Sequence, residues 1–304
     1  MKVKRILLVL LVSALSGCSG KDDSDASRAN SVPSEEYNGG LSAQVAESSD
    51  EVTANPMVLV ESEFQKWDFL KQSRYYRANL LSRYIDYLEK NPDLDTQKAV
   101  VHVNADLDKP FYTDIKIVSQ PENILVLCNK YNSLPEDYEP KDLVNVGGGY
   151  LLRAEAATAY REMMQAASQK NLAFQLRSAY RSYAYQQRVY NRYVTNDGRS
   201  KADTYSARPG HSEHQTGLSF DITQPVSGGT LSSAHFDKTP QFAWLGKHAH
   251  EYGFILRYPA SKTHITGFIY EPWHYRYAGK DVATQIYEQG LTFDEYVAMY
   301  RPRG

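Results

Sequence analysis

Ser206-Ala-Arg-Pro-Gly-His-Ser-Glu-His-Gln-Thr-Gly-Leu-Ser-Phe-Asp-Ile-Thr223 is a loop of turn formers and polar residues that runs into a short alternating strand. Successive side chains of a strand point to opposite faces, so Leu218, Phe220 and Ile222 share one side and Ser219, Asp221 and Thr223 the other. Asp221 is thereby delivered to the polar face, and His214 stands where the loop enters. A second cluster, Tyr270-Glu-Pro-Trp-His-Tyr-Arg-Tyr277, lies near the C-terminus. If the two stretches meet, they supply two imidazoles, one carboxylate ligand and a spare glutamate. That is the inventory of a catalytic zinc site with an open position.

Working outward, 304 residues with 42% hydrophobic content give room for a substantial core. A net charge of -2 offers nothing to a nucleic acid, and the chain is expected to act as a monomer without such a partner. The 24 tyrosines against 10 phenylalanines read as packing residues of core and surface. At the N-terminus Lys2, Lys4 and Arg5 precede the apolar run Ile6 to Val12 and then Leu15-Ser-Gly-Cys18, the pattern of a secretory signal. The run is too short for a comfortable membrane span. Leu15 to Cys18 resembles the bacterial lipobox, which implies cleavage and lipidation at Cys18. The protein is then expected to be exported and held by lipid on the outer face of the cell membrane, or on an outer membrane where there is one. Cys128 would be the other thiol, too few for an intrachain disulfide in the mature form, and inside the apolar run Ile124 to Cys128 it reads as a buried small hydrophobe.

Residues 19–56, rich in Ser, Asp, Glu, Ala and Asn, read as a disordered tether. A helical extension is expected over 57–118. Phe64, Trp67, Leu70, Leu80, Tyr84, Tyr87 and Leu88 recur at helical spacing, Asn91-Pro92 stops that pattern, and Asp95 or Thr96 caps a short helix through Val103. The main domain, 119–304, then mixes both periods. Helices are expected over 151–169, about 183–195, from Thr239-Pro240 to Gly253, up to Gly290, and after the capping box Thr292-x-x-Glu295. Strands are expected at 124–127, 174–178, 254–258 and 267–270. With no Gly-rich phosphate loop and no even βαβ spacing, the fold class is α+β, a small and mostly antiparallel sheet flanked by helices.

Most of the eight histidines carry no chemistry. His248 and His250 face different sides of a helix, and His250-Glu251 lacks the second histidine of a zincin motif because position 254 is Phe. His102, His235 and His264 have no companion at a persuasive spacing, whereas His211 is balanced between a site contact and a plain loop residue. Neither Ser-x-x-Lys nor Gly-x-Ser-x-Gly occurs, which argues against a serine nucleophile. Glu271 and His274 are separated by Pro272 and Trp273, and a flat strand would turn them apart, so a bend is expected there. A carboxylate so placed can take a proton from the attacking water and hand it to a leaving amine. Arg181 has the fork geometry for a terminal carboxylate or a developing oxyanion.

Four ordered stretches carry a resemblance. Ser178-Ala-Tyr-Arg-Ser-Tyr-x-x-Gln186, Ser212-Glu-His-Gln-Thr-Gly-Leu-Ser-Phe-Asp221, Tyr252-Gly-Phe-Ile-Leu-Arg-Tyr-Pro259 and Glu271-Pro-Trp-His-Tyr-Arg276 resemble the VanY-type zinc D-alanyl-D-alanine carboxypeptidases, which share a fold with the Hedgehog signalling domain. The likeness covers about 120–285. It implies zinc on His214, Asp221 and His274, with Glu271 as base and Arg181 on the substrate. Gln186, Ser212, Arg257 and Tyr258 are expected to form the substrate pocket. Ser219 stands where the family usually has Ala; both are small. The resemblance implies hydrolysis of the terminal D-Ala from peptidoglycan stem peptides. Two alternatives are an L,D-carboxypeptidase of the same fold, cutting tetrapeptide stems, and a non-enzymatic wall-binding lipoprotein with a structural zinc. Glu271 weighs against the last, since a structural site has no use for a base.

Overall fold

The computed structural model describes residues 67–225 and 235–300. The expected leader, Cys18, the tether and Phe64 lie outside the described residues. In place of a continuous helix through Trp67 and Leu88, the chain makes two 3-10 turns, Asp68–Gln72 and Ala78–Leu80, and then α1 (Leu81–Lys90). α2 (Thr96–Asn104) opens with the Asp95 side chain accepting from the Lys98 N–H, the cap the sequence suggests. These helices build a core of their own around Leu70, Tyr84, Val100 and Val103, which closes on Ala298 near the other end of the chain.

Further on come α3 (Ala154–Ser168), α4 (Tyr183–Asp197), α5 (Arg199–Ala202), α6 (Pro240–His248), α7 (Thr263–Thr266), α8 (Lys280–Gln289) and α9 (Phe293–Tyr300). The capping box at the start of α9 is formed as read. Glu295 Oε2 accepts from the Thr292 N–H at 2.7 Å, and Thr292 Oγ1 from the Glu295 N–H at 3.1 Å. The helix begun at Thr239-Pro240 tightens into a 3-10 turn at Ala249–Tyr252 before Gly253 ends it.

The strands are β1 (Lys116–Ile117), β2 (Asn132–Ser133), β3 (Leu143–Asn145), β4 (Leu151–Arg153), β5 (Gln175–Ser178), β6 (Ser219–Thr223), β7 (Phe254–Leu256) and β8 (His274–Tyr277). β5, β6, β8 and β7, in that order, make one fully antiparallel sheet. The alternation read in β6 is real. Leu218, Phe220 and Ile222 are fully buried, and the Phe220 ring meets Tyr160 of α3 and Phe254 of β7, each at 5.1 Å between centroids. Burying each such side chain is worth about 1.5–3 kcal/mol, which fixes the register and so the face on which Asp221 emerges.

Three expectations are corrected. Ile124–Leu127 is not a strand: the carbonyls of Ile124 and Val126 accept from the Arg276 guanidinium (2.8 and 3.0 Å) rather than from a neighbouring strand. Nor is 267–270. Gly267, at φ +74, caps α7, and the Ile269 N–H is taken by the Thr204 carbonyl. The β3–β4 hairpin, turned through Gly147–Gly149, takes Leu151–Arg153 as its second strand, where the first turn of a helix was expected.

Candidate zinc and active site

β6 and β8 pair so that Asp221 lies directly opposite His274. His214 sits one tight turn upstream of β6, in the 3-10 segment Glu213–Thr216, which ends on Gly217 at φ +66. A Cβ on Gly217 would come within 2.9 Å of Leu143 and 3.0 Å of Arg153, so glycine serves both the turn and the close approach. On the other side, the expected bend is present: the His274 N–H closes a turn onto the Glu271 carbonyl at 3.1 Å.

These elements bring together His214, Asp221 and His274, whose candidate ligand atoms lie within 4.8 Å of one another. The Nδ1–H of His214 donates to the Ala179 carbonyl at 2.7 Å, which leaves Nε2 with its lone pair, 3.3 Å from Asp221 Oδ2. His274 presents the other nitrogen, with Nδ1 3.0 Å from Asp221 Oδ1. The two imidazoles meet edge to face at 4.9 Å. Two imidazole nitrogens and a carboxylate with a cavity in front are a donor set that fits zinc with a coordination position to spare.

The electrostatics agree. Burial and the nearby Arg181 charge push His214 down to about 4, so it is neutral and able to ligate at physiological pH. Burial opposes ionisation of Asp221, but the two histidines outweigh it and hold the carboxyl well below the usual range. His274 is raised to about 9: burial works against its charge, while the hydrogen bond and charge of Asp221 and the nearby Glu213 and Glu271 carboxylates prevail. Glu271 is raised to about 8, first by burial and then by the charges of Asp221 and Glu213, against His274 and Arg181. Its Oε2 is 3.8 Å from His274 Nδ1, the nitrogen that faces the metal position.

A cavity of about 310 Å³ opens in front, with Arg181, Gln186, Ser212, Tyr258, Glu271 and Trp273 in its wall. Arg181 donates its backbone N–H to the His214 carbonyl at 3.1 Å, and its buried Nε has no hydrogen-bond partner among the described residues. Gln186 is anchored through Nε2 to the Ala207 carbonyl at 2.6 Å, leaving Oε1 unpaired. The Tyr258 ring lies 5.0 Å from that of His274.

Arg257 is corrected. It is 1% exposed and absent from the cavity wall, because its Nε is held by Glu213 at 2.8 Å and its Nη1 by Asp294 at 2.6 Å. His211 resolves to the loop reading. It is buried, bonded through Nδ1 to the Asn129 carbonyl at 2.7 Å and set edge to face with Tyr112. What the sequence reading missed is Glu213. Burial raises its pKa, yet Arg257 and Arg276 hold it well below the carboxylate range. Its position beside His214 was the available signal, but a turn residue has no periodic face to say that it points inward.

Comparison with known proteins places these features. Residues 149–280 match the VanY family, described as D-alanyl-D-alanine carboxypeptidase. The Bacillus subtilis protein YodJ, named as a carboxypeptidase, is 40% identical over 206 residues, 62% of this chain and 75% of that protein. Among solved structures, the LD-carboxypeptidase LdcB superimposes with a TM-score of 0.58 at 39% identity, covering 62% of this chain and 91% of that one. A vancomycin-resistance D,D-pentapeptidase VanY in complex with Zn(II) does so with a TM-score of 0.50 at 33% identity, covering 57% and 98%.

Proposed function

Because the chain belongs to the VanY family of D-alanyl-D-alanine carboxypeptidases, we propose that it is a zinc-dependent D,D-carboxypeptidase that removes the terminal D-Ala from peptidoglycan stem peptides. The observation that carries this reading is Arg181. It is the one lysine or arginine in the cavity wall among the described residues, and its buried Nε is unpaired beside the His-Asp-His cluster. A carboxypeptidase needs one cation there, to take the free carboxylate of its substrate through charge-assisted hydrogen bonds.

His214, Asp221 and His274 would hold the zinc, which supplies Lewis-acid polarisation of the scissile carbonyl and acidifies a water. The remaining work falls to the protein. Arg181 orients the C-terminal residue. The unpaired Gln186 Oε1 offers an acceptor to a substrate amide. Glu271, desolvated and facing the metal side of His274, accepts a proton from the attacking water and delivers it to the departing amine.

A second reading, L,D-carboxypeptidase, is favoured by the match to LdcB. Both reactions need the same residues. Mass spectrometry of defined pentapeptide and tetrapeptide muropeptides after incubation with zinc-loaded protein separates them. Loss of the fifth residue supports the first reading, loss of the fourth the second, and no loss from either removes both. The resemblance of Leu15 to Cys18 to a lipobox, after a basic and then apolar run, supports anchoring by lipid after export. No helix among the described residues is long and apolar enough to cross a membrane.

A further inference from the structure

His274 carries a buried Nε2 with no hydrogen-bond partner among the described residues, and the carboxylate facing it is Glu213, whose Oε2 stands 3.6 Å away. An imidazole that gives its Nδ1 lone pair to a cation keeps its remaining proton on Nε2, and that proton needs an acceptor. The two oxygens of Glu213 are divided accordingly. Oε1 is taken by Arg257 Nε at 2.8 Å and Arg276 Nη1 at 3.0 Å, whereas among the described residues Oε2 has only the long contact with Ser219 Oγ, at 3.4 Å, besides His274. Arg257 is fixed in turn by Asp294 of α9 at 2.6 Å, and Asp294 by the Asn129 side chain at 2.8 Å. Arg276 is saturated on its other nitrogens by the carbonyls of Ile124, Val126 and Tyr277.

We infer that Glu213 is a positioning residue for zinc: locked by Arg257 and, through it, by Asp294, it holds His274 with Nδ1 turned to the metal. Stability alone accounts poorly for the arrangement. Four charges with 0–3% side-chain exposure carry a desolvation cost that well-packed apolar residues would avoid. What the ions provide that apolar residues cannot is a fixed acceptor for one particular proton. Asp294 lies outside the matched family segment 149–280, so α9 brings a contribution to the site from beyond it. The inference rests on the zinc reading and not on which peptide bond is cut.

Zinc affinity, measured by chelator competition, provides the test, together with histidine nitrogen NMR of the zinc-loaded wild type. The spectrum should show His274 protonated at Nε2, with that proton shifted downfield by a carboxylate acceptor. A ring protonated at Nδ1 would overturn the inference without any variant being made. Glu213→Gln should weaken zinc binding by about 10–100-fold, and Asp294→Asn by a smaller but measurable factor. Asp294→Asn touches neither a ligand nor the cavity, so it serves should Glu213→Gln leave two buried arginines unpaired and fail to fold. If the folded variants bind zinc like the wild type, or lose stability equally with and without metal, the network is only structural and the inference fails.

Discussion

Glu271 Oε2 and Asp221 Oδ1 converge on one atom, His274 Nδ1, at 3.8 and 3.0 Å. One of these carboxylates is a strand residue directly across from the histidine, and the other reaches it through a tight turn of the same segment. Their environments push them apart. The two histidines keep Asp221 ionised, whereas burial, with the charges of Asp221 and Glu213, drives Glu271 up to about 8. A pair so divided suits a ligand and a base respectively.

Glu271→Gln tests the base directly. The amide is nearly isosteric but cannot take a proton, so turnover of stem peptide should fall by about 10²–10⁴-fold while zinc content stays stoichiometric. Metal analysis and kcat on the same preparation decide it. Zinc lost together with activity would make Glu271 a ligand, and unchanged hydrolysis would make it a bystander.

The reach of sequence over this site has a physical limit. β6 was legible because one face is apolar and the other is not, so Phe220 and Asp221 declare opposite directions. β8 was not, because His274, Tyr275, Arg276 and Tyr277 are all buried and no alternation shows; the apolar stretch just before it drew the strand assignment instead. Arg257 was expected in the pocket because it belongs to the resemblance stretch Tyr252 to Pro259, whose Tyr258 does line the cavity. Its partners, Glu213 and Asp294, lie 44 and 37 residues away in the chain, and only folding brings them together. Local pattern encodes faces; it does not encode who neutralises a buried charge.

Arg181→Lys keeps the charge and loses the planar fork. Since the candidate ligands are His214, Asp221 and His274 and not Arg181, zinc content should be unchanged. kcat/KM should drop by roughly 10²-fold, as expected if one bidentate charge-assisted contact supplies ~3 kcal/mol. Near-wild-type kinetics would relegate Arg181 to an ordinary wall residue.

Cys18→Ser should yield a soluble enzyme with unaltered specific activity, because a lipid positions the domain and takes no part in the reaction. Fractionation after a carbonate wash reads the result. A variant that stays with the membrane contradicts the lipobox reading.

The last prediction concerns removal of the metal. In the metal-free protein His274 is raised from 6.5 to about 9 and Glu271 from 4.5 to about 8. Both groups therefore hold protons more tightly folded than unfolded, and stability must fall as pH rises. The His274 contribution is complete below about 6.5 and is lost through about 9; that of Glu271 is complete below about 4.5 and is lost through about 8. His214, lowered to about 4, works in the opposite direction but is finished by 6.5. Lys130, lowered by burial to about 8, begins to oppose only above that value. The clean window is thus pH 6.5–8, where the two buried groups together should remove roughly 2–3 kcal/mol, several degrees of Tm. Zinc replaces the proton on His274 and favours the Glu271 carboxylate, so the loaded protein should lack this decline and the gap between the two forms should widen with pH. Thermal unfolding of metal-free and zinc-loaded protein across that window reads both curves. A metal-free Tm that is flat or rises with pH would mean that these two groups do not carry the protons assigned to them.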